Sequence, residues 1–275
     1  MAVELKFILR YTGGKADENV LDLYDAATSM QGLAKALAIT SFALVNDGKV
    51  RRKGDGIPNV DFYLEPSKKG SFIEVVTIVF QQPAVQVLGG SVLAAAFWDF
   101  INFTWKEATG RESELTEYKT KRLLEQNETL SEEISHALES PLLQLHKPIQ
   151  RDRNIEIEIK RPRVTAPILK FNRNTLDYVM SESEPEEIEN IIGNVTKYNI
   201  LSGIGRFYDD RLGKTISFHS SSELDEEGKN TLSWSLHHSN QTRTGKISIA
   251  VDAIKSNSGH LKRYIIRNAE RQNNN

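Results

Sequence analysis

Cysteine is absent from the chain. That gap removes disulfide frameworks, thiolate zinc sites, CxxC redox chemistry, cysteine nucleophiles and palmitoylation together. Charge of one sign is also scarce in net terms: 35 lysines and arginines stand against 37 aspartates and glutamates, leaving −2. No global field draws the protein to nucleic acid or acidic lipid, so any such contact must come from a local patch. Catalytic signatures are missing too. The sequence holds no HExxH, no Walker A loop, no GxGxxG after a strand and no GxSxG elbow. His136 and His146 flank a proline, and His237 and His238, adjacent on an expected strand, would face opposite sides of it. Asp209-Asp210 reads as a solvated turn. Ser202-Gly203-Ile204-Gly205, set between strands with no helix after it, reads as a glycine-permitted bend. No enzyme activity, no cofactor and no metal site are expected. The opening MAVELKFILRYTGG lacks a basic start and a long apolar run, so a secretory signal is not expected and the cytoplasm is the expected compartment.

What is there suits an α+β protein of 275 residues in several parts. VELKFILRY alternates apolar and polar positions as a half-buried strand does. Leu21, Tyr24, Met30, Leu33 and Leu37 then fall at helical spacing, predicting a helix from about Asp17 to Val45. VDFYLEP and SFIEVVTIVF form two further strands around Pro66–Gly70, so residues 1–82 read as a small β-α-β-β layer. Residues 83–147 read as a helical hairpin, with an apolar helix at 83–105 and a polar amphipathic one at 112–146 that Pro141 should kink or end. From 154 to 270 short strands alternate with turns, interrupted by one acidic helix near Pro185–Ile192, and predict a small antiparallel barrel or sandwich. Residues 271–275 form a frayed tail.

The segment PAVQVLGGSVLAAAFWDFINFTW at 83–105 raises the functional question. As a helix it would rise about 34 Å, enough to cross a hydrocarbon core of roughly 30 Å. Gly90 and Ala94, like Ser91 and Ala95, stand at the small-xxx-small spacing that lets helices approach closely. Asp99 and Asn102 share a face that could line a polar channel, meet a partner helix or point to water. An aspartate deep in a membrane costs on the order of 2.5–3.5 kcal/mol, which counts against a lipid-exposed span. Three readings stay open: a buried core helix, an oligomer seal with Gly90, Ala94, Asp99 and Asn102 at its axis, or contact with the inner membrane.

Two basic clusters are the remaining candidates. Lys49, Arg51, Arg52 and Lys53 share one turn, and HLKRYIIR sets Lys262, Arg263 and Arg267 around Tyr264. Cations with an aromatic among them suit phosphate contact and base stacking, which makes Arg51, Arg52, Lys262, Arg263 and Tyr264 the candidate ligand-binding residues. The same clusters also read as a solvated loop and a charged edge strand.

The compact first layer, the Gly70-Ser71-Phe72 strand feeding an apolar helix and the strand-rich end together resemble bacterial antiphage-defence effectors. The outline is similar to that of the membrane-channel effector of Hailong-type systems, whose partner is a nucleotidyltransferase making DNA oligomers. The resemblance lies in organisation, and no family residue carries over with it. It implies a homo-oligomer gated by nucleic acid, with 83–105 near the axis. With that resemblance the sequence supports a non-enzymatic oligomeric effector in prokaryotic antiviral defence, its apolar helix expected to mediate self-association and membrane pore formation, gated by a nucleic-acid or nucleotide signal. The alternative is a binding or scaffold protein whose C-terminal β domain captures a nucleotide, an oligonucleotide or a protein partner.

Overall fold

The computed structural model describes residues 2–51, 56–65, 73–81, 90–180, 184–242, 245–257 and 259–272. The chain forms two compact units, Met1–Val179 and Met180–Asn275. In the first, β1 (Val3–Thr12) is followed by a 3-10 turn and α1 (Leu23–Val45), then β2 (Val60–Glu65), β3 (Ile73–Phe80) and α2 (Gly90–Glu107). Next come α3 (Tyr118–Gln126), α4 (Leu130–Leu145), α5 (Lys147–Arg151), β4 (Glu156–Lys160), β5 (Leu169–Phe171) and α6 (Arg173–Val179). The five strands make one antiparallel sheet in the order β2-β3-β1-β4-β5.

The alternation of β1 sets the layering. Phe7, Leu9 and Tyr11 are buried, while Lys6, Ile8 and Arg10 take the opposite face. α2 lies on the buried side and spans it: Trp98 stacks on Phe7 of β1 at 5.6 Å, Phe97 meets Phe80 of β3 edge-on at 5.5 Å, and Trp105 reaches Phe171 of β5 at 6.2 Å. Burying a large apolar side chain stabilises by about 1.5–3 kcal/mol, so this ladder is a main source of the unit's cohesion. The Trp105 indole N–H donates to Thr40 Oγ1 of α1 at 2.9 Å, so its polar edge is paired as well. α1 crosses α4 at Gly32, where an added Cβ would fall 2.5 Å from the Leu145 amide and the Pro141 carbonyl. No side chain fits there.

The expected β-α-β-β opening is present, but the expected boundary at residue 154 is not. IEIEI and ILKF, read as part of the C-terminal domain, are β4 and β5 of the first sheet, because β4 pairs with β1 from Ile8 to Thr12. The helix expected over 112–146 is two helices, α3 and α4, separated at Asn127, whose side-chain amide donates to the carbonyls of Leu123 and Asp47. Pro141 lies inside α4 without ending it. Among the described residues no helix is long and apolar enough to cross a membrane. Pro66–Gly70, the Gly70-Ser71-Phe72 motif and residues 83–89 lie outside the described residues.

The second unit runs β6 (Glu186–Asn199), β7 (Ile204–Asp209), β8 (Lys214–Ser220), α7 (Glu226–Thr242), β9 (Ile247–Lys255) and β10 (Leu261–Arg271). The strands close into a barrel in the order β10-β8-β7-β6-β9. All pairs are antiparallel except β8 with β10, which are parallel, a departure from the purely antiparallel expectation. Two local readings are corrected here. The acidic helix expected at 185–192 is the start of β6, where Ile188, Ile191 and Ile192 favour a strand and Glu187 and Glu189 pair with Arg267. NTLSWSLHH, expected as a strand, lies in α7, so His237 and His238 sit on one helix with ring centroids 5.3 Å apart. Asp225 announces that helix: its Oδ1 accepts the Gly228 amide at 2.7 Å, and Glu226 and Glu227 fill the first turn.

His146, just past α4, is fully buried. Its Nδ1–H donates to the Leu142 carbonyl at 2.6 Å, so Nε2 is left to accept from Thr175 Oγ1 at 2.8 Å. Burial pushes its pKa down to about 4, against the opposing bond to Leu142, and the Arg111 charge adds to the depression. The unfolded chain takes up this proton near pH 6.5 and the fold only near pH 4, so the unfolded state binds more protons between the two. Stability should therefore fall as pH drops through that window, by on the order of 3 kcal/mol. Urea unfolding midpoints at pH 7 and pH 4.5 should differ more in the wild type than in His146→Gln. Equal pH slopes in the two proteins would remove His146 from this role.

Candidate nucleic-acid interface on the barrel

The barrel closes because β6 changes partner midway. Residues 186–193 pair with β9 and 193–199 with β7, with irregular register at Ile188/Ile191 and Val195/Lys197. Gly193 is the pivot, pairing with Ile247 on one side and Asp209 on the other. A Cβ there would sit 1.9 Å from the Tyr208 carbonyl oxygen, so only glycine lets the strands approach. Inward positions fill the core with Val195, Phe207, Phe218, Val251, Tyr264 and Ile266, closed at one end by Leu224 and Leu232.

The outward positions carry the chemistry. Lys197 stands directly across from Arg206 on the β6–β7 ladder, and Arg206 across from Ser217 on the β7–β8 ladder. Tyr264 pairs with Phe218 in parallel and both are buried, so the residues before them, Arg263 and Ser217, point outward on adjacent strands. Lys197, Arg206, Ser217 and Arg263 therefore form one row over four strands. Tyr208, two residues beyond Arg206 on the same face, is 39% exposed.

The turn at one end of this face is held firmly while it exposes apolar groups. Asn199 Oδ1 accepts the Leu201 amide at 3.0 Å, the Gly203 amide donates to the Asn199 carbonyl at 2.8 Å, and the Ser220 amide donates to Gly203. Ile200 and Leu201 nevertheless project 63% and 95% exposed. On the flank formed by β6, β9 and β10, Arg267 is surrounded by Glu187, Glu189 and Asp252, and Lys255 pairs with Glu186 at 2.6 Å.

The site residues expected from sequence are dispersed. Lys262 and Arg263 lie half-buried on β10, but Tyr264 between them and Arg267 is in the core and cannot stack on a ligand. Its hydroxyl donates to Asp209 Oδ2 at 2.7 Å, and burial together with that carboxylate pushes the phenol pKa up. Arg51 lies over the Phe42 ring at 5.1 Å in the first unit, and Arg52 lies outside the described residues. Asp99 and Asn102 do not line a common polar path. Asn102 Nδ2 donates to Ser113 Oγ at 3.4 Å. The Asp99 carboxylate accepts the amides of Thr116 and Glu117 and the hydroxyls of Thr116 and Thr120. Burial alone would raise its pKa, yet these bonds outweigh it and hold the carboxyl below its ordinary value. Gly90 abuts Val3 and Ala94 is half-buried. The residues sequence reasoning missed are Lys197, Arg206 and Tyr208, because their alignment depends on strand pairing rather than spacing.

The first unit holds a cavity of about 500 Å³ beside the start of α1, lined in part by Asp22, Asp25, Arg151 and Pro148. Two of its carboxylates, Asp22 and Asp25, are already engaged by the chain's own Arg151. Among the described residues no group of three or more histidines or carboxylates could hold a metal ion.

These features define an α+β protein ending in a closed five-stranded barrel. Residues 7–180 match a family model described as Domain of unknown function (DUF7946), and residues 187–270 match one described as Family of unknown function (DUF7947). The chain belongs to the DUF7946 family, whose model covers more than half of it. The two matches divide the chain where its packing does. No curated protein and no solved structure matches it.

Because Tyr264 is a core residue, Tyr264→Phe should cost about 1–3 kcal/mol, the range for depriving a buried carboxylate of a donor. The same variant should leave any oligonucleotide affinity of the folded protein unchanged at a temperature where both proteins are native. Lost affinity with unchanged stability would restore Tyr264 as a stacking residue.

Proposed function

We propose that this chain is a binding protein whose barrel takes single-stranded nucleic acid across the outer face of β7 and β8. The observation that carries this reading is the combination of connectivity with the cation row. A five-stranded closed barrel with strand order one-two-three-five-four, its third and fifth strands parallel and a helix between the third and fourth, has the connectivity of the OB-fold. Barrels of that fold bind oligonucleotides and oligosaccharides on the face of their second and third strands, between the flanking loops. Fold analogy alone does not assign function, so the weight rests on the residues at that place. They are Lys197, Arg206 and Arg263 for phosphates, Tyr208 for a base, and the Ile200–Leu201 tip at the edge. An oligosaccharide would have little use for three aligned cations.

Within this reading the chain serves as the nucleic-acid-responsive component of the antiviral effector that its outline resembles, with the ligand acting as a gate. Self-association would have to use surface other than the apolar side of α2, which is packed on its own sheet. The pore element of the effector reading thus draws no support from residues 90–107.

Fluorescence anisotropy with labelled oligothymidylate is the direct assay. Binding should weaken with salt, and Arg206→Gln with Arg263→Gln should lower the salt slope by about 1.4, two phosphates at about 0.7 each for single strands. Salt-independent binding, or none, would refute the proposal.

A further inference from the structure

We infer that α3 is a second single-strand contact, carried by the first unit. The inference rests on the nucleic-acid reading of the barrel. α3 buries Thr120 and Leu123 and turns the rest of its short length to solvent. On the outer face Tyr118, Lys121, Arg122 and Glu125 stand three and four apart, with Lys119 beside them. Tyr118 is 72% exposed, one of the least covered aromatic side chains among the described residues. Lys119, Lys121 and Arg122 are all exposed, and none lies in an ion pair among the described residues. By contrast Lys6, Arg10, Arg151, Arg153, Lys160, Lys170 and Arg173 of the same unit are each matched to a carboxylate.

Two features favour an anionic strand over a solvated helix face. The acids near α3 do not pair with its cations: Glu117 is half-buried and acts on Arg161, and Glu125 on the outer face and Glu114 and Glu128 beyond the helix ends form no ion pair with Lys119, Lys121 or Arg122 among the described residues. The helix is also pre-set. Asp99 receives four hydrogen bonds from the Thr116–Thr120 stretch, which fixes the first turn of α3 and the direction of Tyr118. Three cations around a fixed aromatic offer phosphate contacts plus a platform for an unstacked base, which a duplex would not use. An anionic lipid surface would meet the cations but would have no specific use for the ring.

The test uses the full chain and a single strand of about 30 nucleotides, long enough for a barrel site of about 4–16 and a further contact. Lys119→Gln, Lys121→Gln and Arg122→Gln together should lower the slope of log affinity against log salt by about 2, three phosphates at about 0.7 each. Tyr118→Ala should weaken binding several-fold without changing that slope. All four positions are exposed, and circular dichroism checks that each variant keeps its fold. An unchanged slope in the triple variant, while Arg206→Gln with Arg263→Gln still weakens binding, overturns the second contact and leaves the barrel reading intact. No binding by the wild type overturns both. Loss of binding to phosphatidylserine vesicles with an unchanged oligonucleotide slope overturns it in favour of a lipid surface.

Discussion

The burial of one aromatic helix face organises the first unit. α2 carries Phe97, Trp98, Phe100, Phe103 and Trp105 in nine residues, more apolar surface than a solvent-facing helix tolerates. Laid across β3, β1 and β5, it gives Phe97, Trp98 and Trp105 ring partners there and draws together strands that lie far apart in sequence. β4 and β5 complete the sheet from beyond residue 150, so the unit cannot close until most of its chain is present. α1 and α4 then pack tightly enough that Gly32 is the only residue the crossing admits.

The polar residues within that apolar helix act locally. Asp99 looks like a channel residue in one dimension, yet in three it is an anchor for α3, satisfied by backbone amides and threonine hydroxyls. A carboxylate so fully bonded has no lone pair to spare for a passing ion. The surface it supports carries the α3 cations, which lie in no ion pair among the described residues, so the polar face of one helix sets the direction of the next. In the second unit the same economy of charge appears on the barrel, with Arg267 held among acids on one flank and Lys197, Arg206 and Arg263 aligned on another.

Local alternation made much of the fold legible. β1, β8, β9 and β10 follow period-two patterns, and α1 follows a helical one. What failed had physical causes. NTLSWSLHH alternates like a strand, but Asp225, Glu226 and Glu227 supply a helix start that outweighs it. Pro185-Glu186-Glu187 looks like a helix start, but the isoleucines after it pair with β9. IEIEI was legible as a strand; its partner, β1, lies about 150 residues earlier in the chain and no local pattern reports that. For the site, Lys262, Arg263 and Tyr264 were visible as a cluster, yet strict alternation with Ile266 already argues that Tyr264 points inward. Lys197 and Arg206 could be joined only by the register of β6 on β7.

Native-state hydrogen exchange of residues 90–107 in buffer without lipid or detergent tests the central claim most directly. A helix packed on its own sheet should exchange only through opening of the whole first unit, with amide protection near the level of β1 and β3. Rapid exchange in buffer, with protection gained only on adding vesicles or through self-association, would contradict this account and return the segment to a membrane or an oligomer axis.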